Sequence, residues 1–243
     1  MARTAAALII GNEILTGKIR EANLEVLARE LRGLGIVLRR AVFCLDDVET
    51  IAEELTALRG SHDMVFTSGG VGPTLDDVTL LGVARSFGRP LERSPLIQGL
   101  IEGYFGERTT ADHLSMADVP RGAELLQSAE VPWPVIAVDN VFVLPGVPKI
   151  FEKKLRVLRE RIGADRPFVT RALLTTCDEG TIAAHLERVA EAFPAVDLGS
   201  YPRTGEAKYR VKLTFDGLDA AEVEAARDAC AEAIGADHII PSE

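Results

Sequence analysis

Basic residues are in short supply: 27 Lys and Arg stand against 37 Asp and Glu, a formal net charge of −10. A duplex-binding surface usually carries a basic excess, so nucleic acid is not an expected partner. An anionic small ligand stays open, because a few backbone N–H groups or one metal ion can reverse the potential locally. Cysteine is scarce as well. Cys44, Cys177 and Cys230 are odd in number, widely spaced and form no Cys-x-x-Cys. That excludes a disulfide frame or zinc site and fits buried thiols in a reducing cytoplasm. No apolar run approaches the roughly 20 residues needed to span a bilayer, so no membrane partner is expected. Ala5–Ile10 after Arg3 imitates a signal peptide only loosely, since it is short, ends at Gly11-Asn12-Glu13 and offers no cleavage site. The expected location is cytoplasmic.

What is present reads as an ordinary globular chain, with 47% hydrophobic and 26% charged residues over 243 positions. Strand and helix signals alternate through the first two-thirds. Ala5–Ile10 is a strand, and a helix over 23–32 sets Leu24, Leu27, Ala28 and Leu31 on one face. Ile36–Cys44 is the next strand, and Asp46-Asp47 caps a helix carrying Ile51, Leu55 and Leu58. Asp63–Thr67 follows, then a glycine-rich loop and a helix over 77–87. A helix capped by Ser94, a turn or two over 112–118, and a strand over 123–128 make a less regular middle. Val135–Val138 and Val141–Leu144 form a hairpin around Asp139-Asn140, and a helix over 147–162 closes the unit. This order predicts a mostly parallel sheet with helices on both faces.

Gly163–Pro167 reads as a linker. Beyond it the order is strand 168–177, helix 179–192, strands 196–201 and 207–215, helix 219–234 and strand 238–240. That is βαββαβ, the split arrangement of ferredoxin-like α+β folds. The expected domains are therefore 1–165 and 166–243.

Three loops carry candidate chemistry. The strongest is Thr67-Ser68-Gly69-Gly70-Val71-Gly72-Pro73-Thr74-Leu75-Asp76-Asp77-Val78-Thr79. It leaves a buried strand and enters a helix, where free N–H groups favour anions, and its glycines admit close backbone approach. Asp76 and Asp77 would repel a phosphate unless a divalent cation sat between them. A glycine turn with an Asp capping the helix accounts for the same residues. The second loop, Gly11-Asn12-Glu13-Ile14-Leu15-Thr16-Gly17-Lys18, superficially resembles a P-loop. Five residues separate its glycines, and Ile19 stands where Ser or Thr should bind magnesium, so alone it reads as a polar connection. The third is Leu144-Pro145-Gly146-Val147-Pro148-Lys149, a tight turn with Pro148 at a first helical position. Lys149 opposes the helix dipole there, which an anion would relieve, but read alone it is a solvated surface lysine. All three loops are expected at carboxyl ends of strands in one sheet, where open α/β sheets place their ligand crevices.

Other constellations fail. Neither Gly-x-Gly-x-x-Gly, Gly-x-Ser-x-Gly nor His-Glu-x-x-His occurs, and His62, His113, His185 and His238 are scattered. Asp219, Glu222, Glu224, Asp228 and Glu232 read as a solvated helix face. Gly199-Ser200-Tyr201-Pro202-Arg203 reads as a β-turn between paired strands or as a segment that reaches the cleft.

Ile10-Gly11-Asn12-Glu13-Ile14-Leu15 with Asn23, Ser68–Thr74 through Asp76-Asp77-Val78-Thr79, and Leu144–Pro148 together resemble the molybdenum-cofactor biosynthesis (molybdopterin-binding) domain. The closer similarity is to the amino-terminal domain of competence/damage-inducible protein A and to the molybdopterin-binding-like module of FAD synthetase. For the latter it continues through Leu198–Pro202 and Tyr209–Leu213. The resemblance implies a three-layer α/β/α domain that binds a phosphorylated pterin, molybdopterin included, or an adenine nucleotide. It places Gly69, Gly70, Gly72, Asp76, Asp77, Pro145 and Gly146 in the pocket. Some such relatives instead hydrolyse FAD or ADP-ribose to monophosphates with a divalent metal, and dimers or trimers are common. The expected ligand-binding set is Gly11, Asn12, Glu13, Asn23, Ser68, Gly69, Gly70, Gly72, Pro73, Thr74, Pro145 and Gly146. In the pyrophosphatase alternative Asp76 and Asp77 are catalytic and hold Mg, Mn or Co. The family often has Asp where this chain has Asn12, and its Asp-Thr-Asn stands here as Glu21-Ala22-Asn23. Neither an amidohydrolase nor an FAD-synthesising domain is recognised, so FAD synthesis is not expected.

Overall fold

The computed structural model describes residues 2–129, 131–163, 166–205 and 208–241. Ala164 and Asp165 of the expected linker, and Ala207 at the expected start of a strand, lie outside the described residues. The chain divides into two compact units, residues 1–165 and 166–243.

The first unit begins with β1 (Thr4–Ile10), α1 (Asn12–Leu15), α2 (Asn23–Gly33), β2 (Val37–Cys44), α3 (Val48–Arg59), β3 (Met64–Ser68) and α4 (Thr79–Ser86). It continues with β4 (Leu91–Arg93), α5 (Pro95–Phe105), α6 (Ala111–Ser115), β5 (Asp118–Pro120), β6 (Glu124–Leu126), β7 (Val135–Val138), β8 (Val141–Leu144) and α7 (Pro148–Ile162). Six strands form one sheet in the order β2-β1-β3-β8-β7-β6. β2, β1, β3 and β8 run parallel, while β7 is antiparallel to both β8 and β6. β1 explains the architecture. Ala6, Leu8 and Ile10 pack with Ile51, Leu55, Leu80 and Val83 on one face. Ala5, Ala7 and Ile9 pack with Leu27, Leu31, Phe151 and Leu158 on the other. A strand covered on both sides must be apolar throughout, which is why its sequence does not alternate. The layers are α/β/α with the core on both faces of the sheet.

Local signals set the element ends. Asp47 caps α3 by accepting the Thr50 N–H, and Ser94 caps α5 by accepting that of Ile97. The two-residue turn between β7 and β8 has Asp139 at φ 51°, a conformation Asp tolerates. Asn140 then anchors the turn by donating to the carbonyls of Arg59 and His62. Two features depart from the sequence reading. The segment after β1 is the short helix α1 rather than an irregular connection, and β4 pairs with β5 in a separate antiparallel sheet. Three-residue strands are too short to show a period.

The second unit comprises β9 (Val169–Thr175), α8 (Glu179–Ala192), β10 (Asp197–Pro202), β11 (Val211–Gly217), α9 (Ala220–Ile234) and β12 (Ile239–Ile240). Its sheet order is β10-β11-β9-β12, antiparallel throughout. Val211, Leu213 and Phe215 alternate inward against Ile182, Val189, Val223, Ala226 and Cys230 of α8 and α9. This is the expected ferredoxin-like arrangement. Gly199–Pro202 lies within β10 rather than in a turn. The acidic stretch of α9 is not wholly solvated: Asp219 caps the helix, and Glu224 pairs with Arg171 and Arg227. Cys44 and Cys230 are buried, whereas Cys177 is only half-buried. Among the described residues no helix is long and apolar enough to cross a membrane.

Lys154 of α7 is largely enclosed, and its Nζ donates to the Pro134 carbonyl at 2.6 Å. Burial lowers its pKa from 10.5 to about 8. The unfolded chain therefore binds more protons between these values, and stability rises with pH across that window. In urea melts between pH 8 and 10.5, the wild type is expected to gain on the order of 3 kcal/mol from this residue. Lys154→Met is expected to abolish that increment.

Candidate functional site

The carboxyl ends of β1, β3 and β8 lie side by side because these strands are consecutive parallel neighbours. Each continues directly into one of the three loops singled out from the sequence. The loops also touch. Gly69 donates its N–H to Leu144 O at 3.2 Å, and a Cβ on Gly69 would lie 2.1 Å from Ile10 O. A Cβ on Gly146 would lie 3.4 Å from the Gly69 Cα. Gly69 and Gly70 have φ of 110° and 63°, values that L side chains rarely adopt.

Asn23, at the start of α2, joins the glycine loop to the Pro145-Gly146 turn. Its Nδ2 donates to Ser68 Oγ at 2.9 Å and to Gly146 O at 2.8 Å, while its Oδ1 is buried without a partner. Glu21 takes over the capping of this helix by accepting the N–H groups of Asn23 and Leu24 at 2.6 and 2.9 Å. The departure from Asp-Thr-Asn therefore preserves a cap by other means.

The glycine loop is turned into α4 by Thr79, whose N–H donates to Gly70 O and whose hydroxyl donates to Gly69 O. Neither Asp76 nor Asp77 caps α4: the residue before the helix is Val78, with no side-chain cap. The two carboxylates converge on Thr74 instead. Its hydroxyl lies 2.5 Å from Asp76 Oδ1 and 2.6 Å from Asp77 Oδ2, and its N–H donates to Asp77 Oδ2 at 2.8 Å. One hydroxyl proton cannot serve both oxygens at once. The Thr74 hydroxyl, followed by a backbone N–H, lowers the Asp76 pKa. Pro73 and Thr74 are exposed beside them.

The Gly11–Lys18 loop contributes backbone and charge. The Asn12 N–H donates to Asp46 Oδ2 at 2.7 Å, and the Asn12 side chain is exposed. The Glu13 carboxylate folds over Gly11, where a Cβ would meet Oε1 at 2.7 Å. Asp46 is the residue that sequence reading assigned to the wrong task. Asp47 alone caps α3, and Asp46 faces the cleft from the end of β2. Burial raises its pKa, opposed by the Asn12 N–H and reinforced by the charges of Glu13, Asp76 and Asp77. Adjacent Asp residues cannot be told apart by type, but one strand end per parallel neighbour was the available signal. Lys149 is exposed and makes no contact with these groups.

The arrangement can hold charges of both signs. Among the described residues the N–H groups of Gly70, Val71, Gly72, Gly146 and Val147 have no protein acceptor. Unpaired backbone N–H groups on two loops in contact suit an anion. The carboxylates beside them suit a hard cation, with oxygen donors from Asp76, Asp77 and Thr74. Among the described residues no three His, Cys, Asp or Glu side chains converge closely enough to hold a metal by themselves. Leu15, Ile19, Leu75, Val147 and Ile150, all on or next to these loops, are exposed apolar side chains.

Two substitutions test this construction. Gly69→Ala forces a methyl into the Ile10 carbonyl at a positive φ and is expected to cost more than about 3 kcal/mol in urea denaturation. Asn23→Ala removes two hydrogen bonds and is expected to cost about 1–3 kcal/mol by the same measurement.

Comparison with known proteins places this geometry. Residues 6–163 match the family described as probable molybdopterin binding domain, and residues 167–243 match the middle domain of FAD synthase. A probable FAD synthase of Caenorhabditis elegans is 30% identical over 98% of this chain and 51% of its own length. The chain thus spans about half the length of that relative. A protein of Aeropyrum pernix is 34% identical over 89% of this chain and 87% of its own. A crystal structure of CinA, of unknown function, from Thermoplasma acidophilum superposes with a TM-score of 0.62 at 30% identity. It covers 67% of this chain and 99% of that one. With its own glycine loop, Pro-Gly turn and α/β/α layers in the matched region, the chain belongs to the molybdopterin-binding domain family and continues into an FAD synthase middle domain.

Proposed function

We propose that the cleft at the ends of β1, β3 and β8 binds the phosphate end of a phosphorylated pterin or an adenine nucleotide. The observation that carries this reading is that the N–H groups of Gly70, Val71, Gly72, Gly146 and Val147, on two loops in contact, have no protein acceptor among the described residues. Backbone amides hold an anion without adding a net charge of their own, which suits an acidic chain. The exposed Leu75, Val147 and Ile150 offer apolar surface to the ring system. The FAD synthase relatives support an adenine dinucleotide, and the molybdopterin-binding family supports a pterin. A homo-oligomer, dimer or trimer, is part of this reading; exposed Leu15 and Ile19 supply surface for it.

A second reading rests on Thr74, which gathers the two carboxylates through its hydroxyl and its backbone N–H. Asp76 and Asp77 would hold Mg, Mn or Co, and the residues fit, being hard oxygen donors. A bound ion there would neutralise a diphosphate and acidify a water. The chain's own part is to orient a dinucleotide pyrophosphate with the unpaired amides and to stabilise charge on its phosphoryl oxygens. Asn12 cannot act as a base, so Asp46 is the carboxylate placed to accept a proton.

Incubation with FAD or ADP-ribose and each metal, followed by separation of monophosphates, distinguishes the readings. Turnover establishes the pyrophosphatase; ligand-induced thermal stabilisation without turnover establishes the binder. Absence of both refutes the cleft as a nucleotide site. Asp76→Asn with Asp77→Asn removes like charge from beside the unpaired amides. It is expected to tighten metal-free AMP binding about tenfold in calorimetry and to abolish any metal-dependent turnover.

A further inference from the structure

The small unit has a face that its own helices leave bare. Val211, Leu213 and Phe215 point into the helical layer, so Lys212 and Thr214 point to the other side. Register then defines that side. One row across the sheet reads Tyr201, Lys212, Leu174 and Ile240, and the next reads Gly199, Thr214 and Ala172.

Tyr201 lies flat on this face. A Cβ on Gly199 would meet the Tyr201 ring at 2.8 Å, its hydroxyl oxygen at 3.0 Å and Thr214 Oγ1 at 2.6 Å. The ring therefore covers the glycine backbone on one side, and the residue remains 58% exposed. Glycine at 199 is what permits this pose, since any side chain would lift the ring. Directly opposite Tyr201 stands Lys212, at the close spacing of a cross-strand pair. Arg203 continues β10 by donating its N–H to Arg210 O at 2.8 Å. Its guanidinium stacks over Tyr209 and bonds the Tyr209 hydroxyl. Neither Lys212 nor Arg203 has a carboxylate partner among the described residues. In an acidic chain, the ten residues 203–212 carry four cations (Arg203, Lys208, Arg210 and Lys212) against one carboxylate, a local reversal of sign.

An exposed aromatic face beside unpaired cations has the chemistry that recognises a planar heteroaromatic ring carrying phosphate. We propose that the Tyr201–Lys212–Arg203 surface of the small unit is a second nucleotide-binding site, stacking a base on Tyr201 and holding its phosphate with Lys212 and Arg203. This site stands independently of the cleft in the first unit, and its ligand class is a free mononucleotide or one end of a dinucleotide.

Titration of the full, ¹⁵N-labelled chain with AMP tests it, because amide shifts report each site separately. Saturable shifts are expected at residues 199–203 and 210–214. Tyr201→Ala and Lys212→Glu should each weaken that binding about tenfold, Tyr201→Phe should preserve it, and adenosine or inorganic phosphate alone should bind more weakly than AMP. Both weakening substitutions change exposed side chains and should leave shifts at residues 69–77 unchanged. No saturable shift at the hairpin, or equal affinity in Lys212→Glu, overturns the proposal. A short single-stranded RNA that moves these amides where AMP does not also overturns it. Shifts at the hairpin with none at residues 69–77 uphold it and refute the cleft as an adenine-nucleotide site instead.

Discussion

One close approach governs the candidate site. The chain at Gly69 passes the Ile10 carbonyl so tightly that a Cβ would sit 2.1 Å from its oxygen. This contact joins the end of β3 to the end of β1, and the Gly69 N–H bond to Leu144 joins it to β8. Every other element of the cleft follows. The positive φ angles at Gly69 and Gly70 carry the chain out of the sheet, and Thr79 returns it to a helix. Asn23 then fixes the Pro145-Gly146 turn against the glycine loop.

The electrostatics answer a conflict visible in the composition. Amides that favour an anion stand beside Asp46, Asp76, Asp77 and Glu13, which repel one. The carboxylates also repel one another, and the pKa of Asp46 is raised first by its burial and then by the charges of Glu13, Asp76 and Asp77. A phosphate with a cation satisfies both halves, whereas either alone satisfies one. Such a preorganised pair of opposite subsites is a common basis for handling nucleotide phosphates. The small unit distributes charge differently, gathering four cations on one hairpin of a domain that is acidic elsewhere.

Much of this was legible before folding is considered. β1 reads as a strand because burial on both faces demands unbroken apolar residues, and Asp139-Asn140 reads as a hairpin turn because the first must take a positive φ. The glycine loop reads as a ligand loop because its composition serves no helix or strand. β4 and β5 were not legible, since three residues hold no period; the strand over 196–201 was legible, and only the turn reading of Gly199–Pro202 failed, because Gly and Pro usually mark turns.

The sequence by itself determined which segments alternate, where they end and which loops hold glycine, since these depend on neighbours a few residues apart. Only the tertiary structure decided that Asp46 and not Asp47 faces the cleft, that Asp76 and Asp77 share Thr74 rather than cap α4, and that Tyr201 lies flat over Gly199. The physical reason is common to all three. Each depends on which face of a strand or loop a side chain takes relative to a neighbouring strand or loop, and that is set by sheet register and close backbone approach, not by residue type.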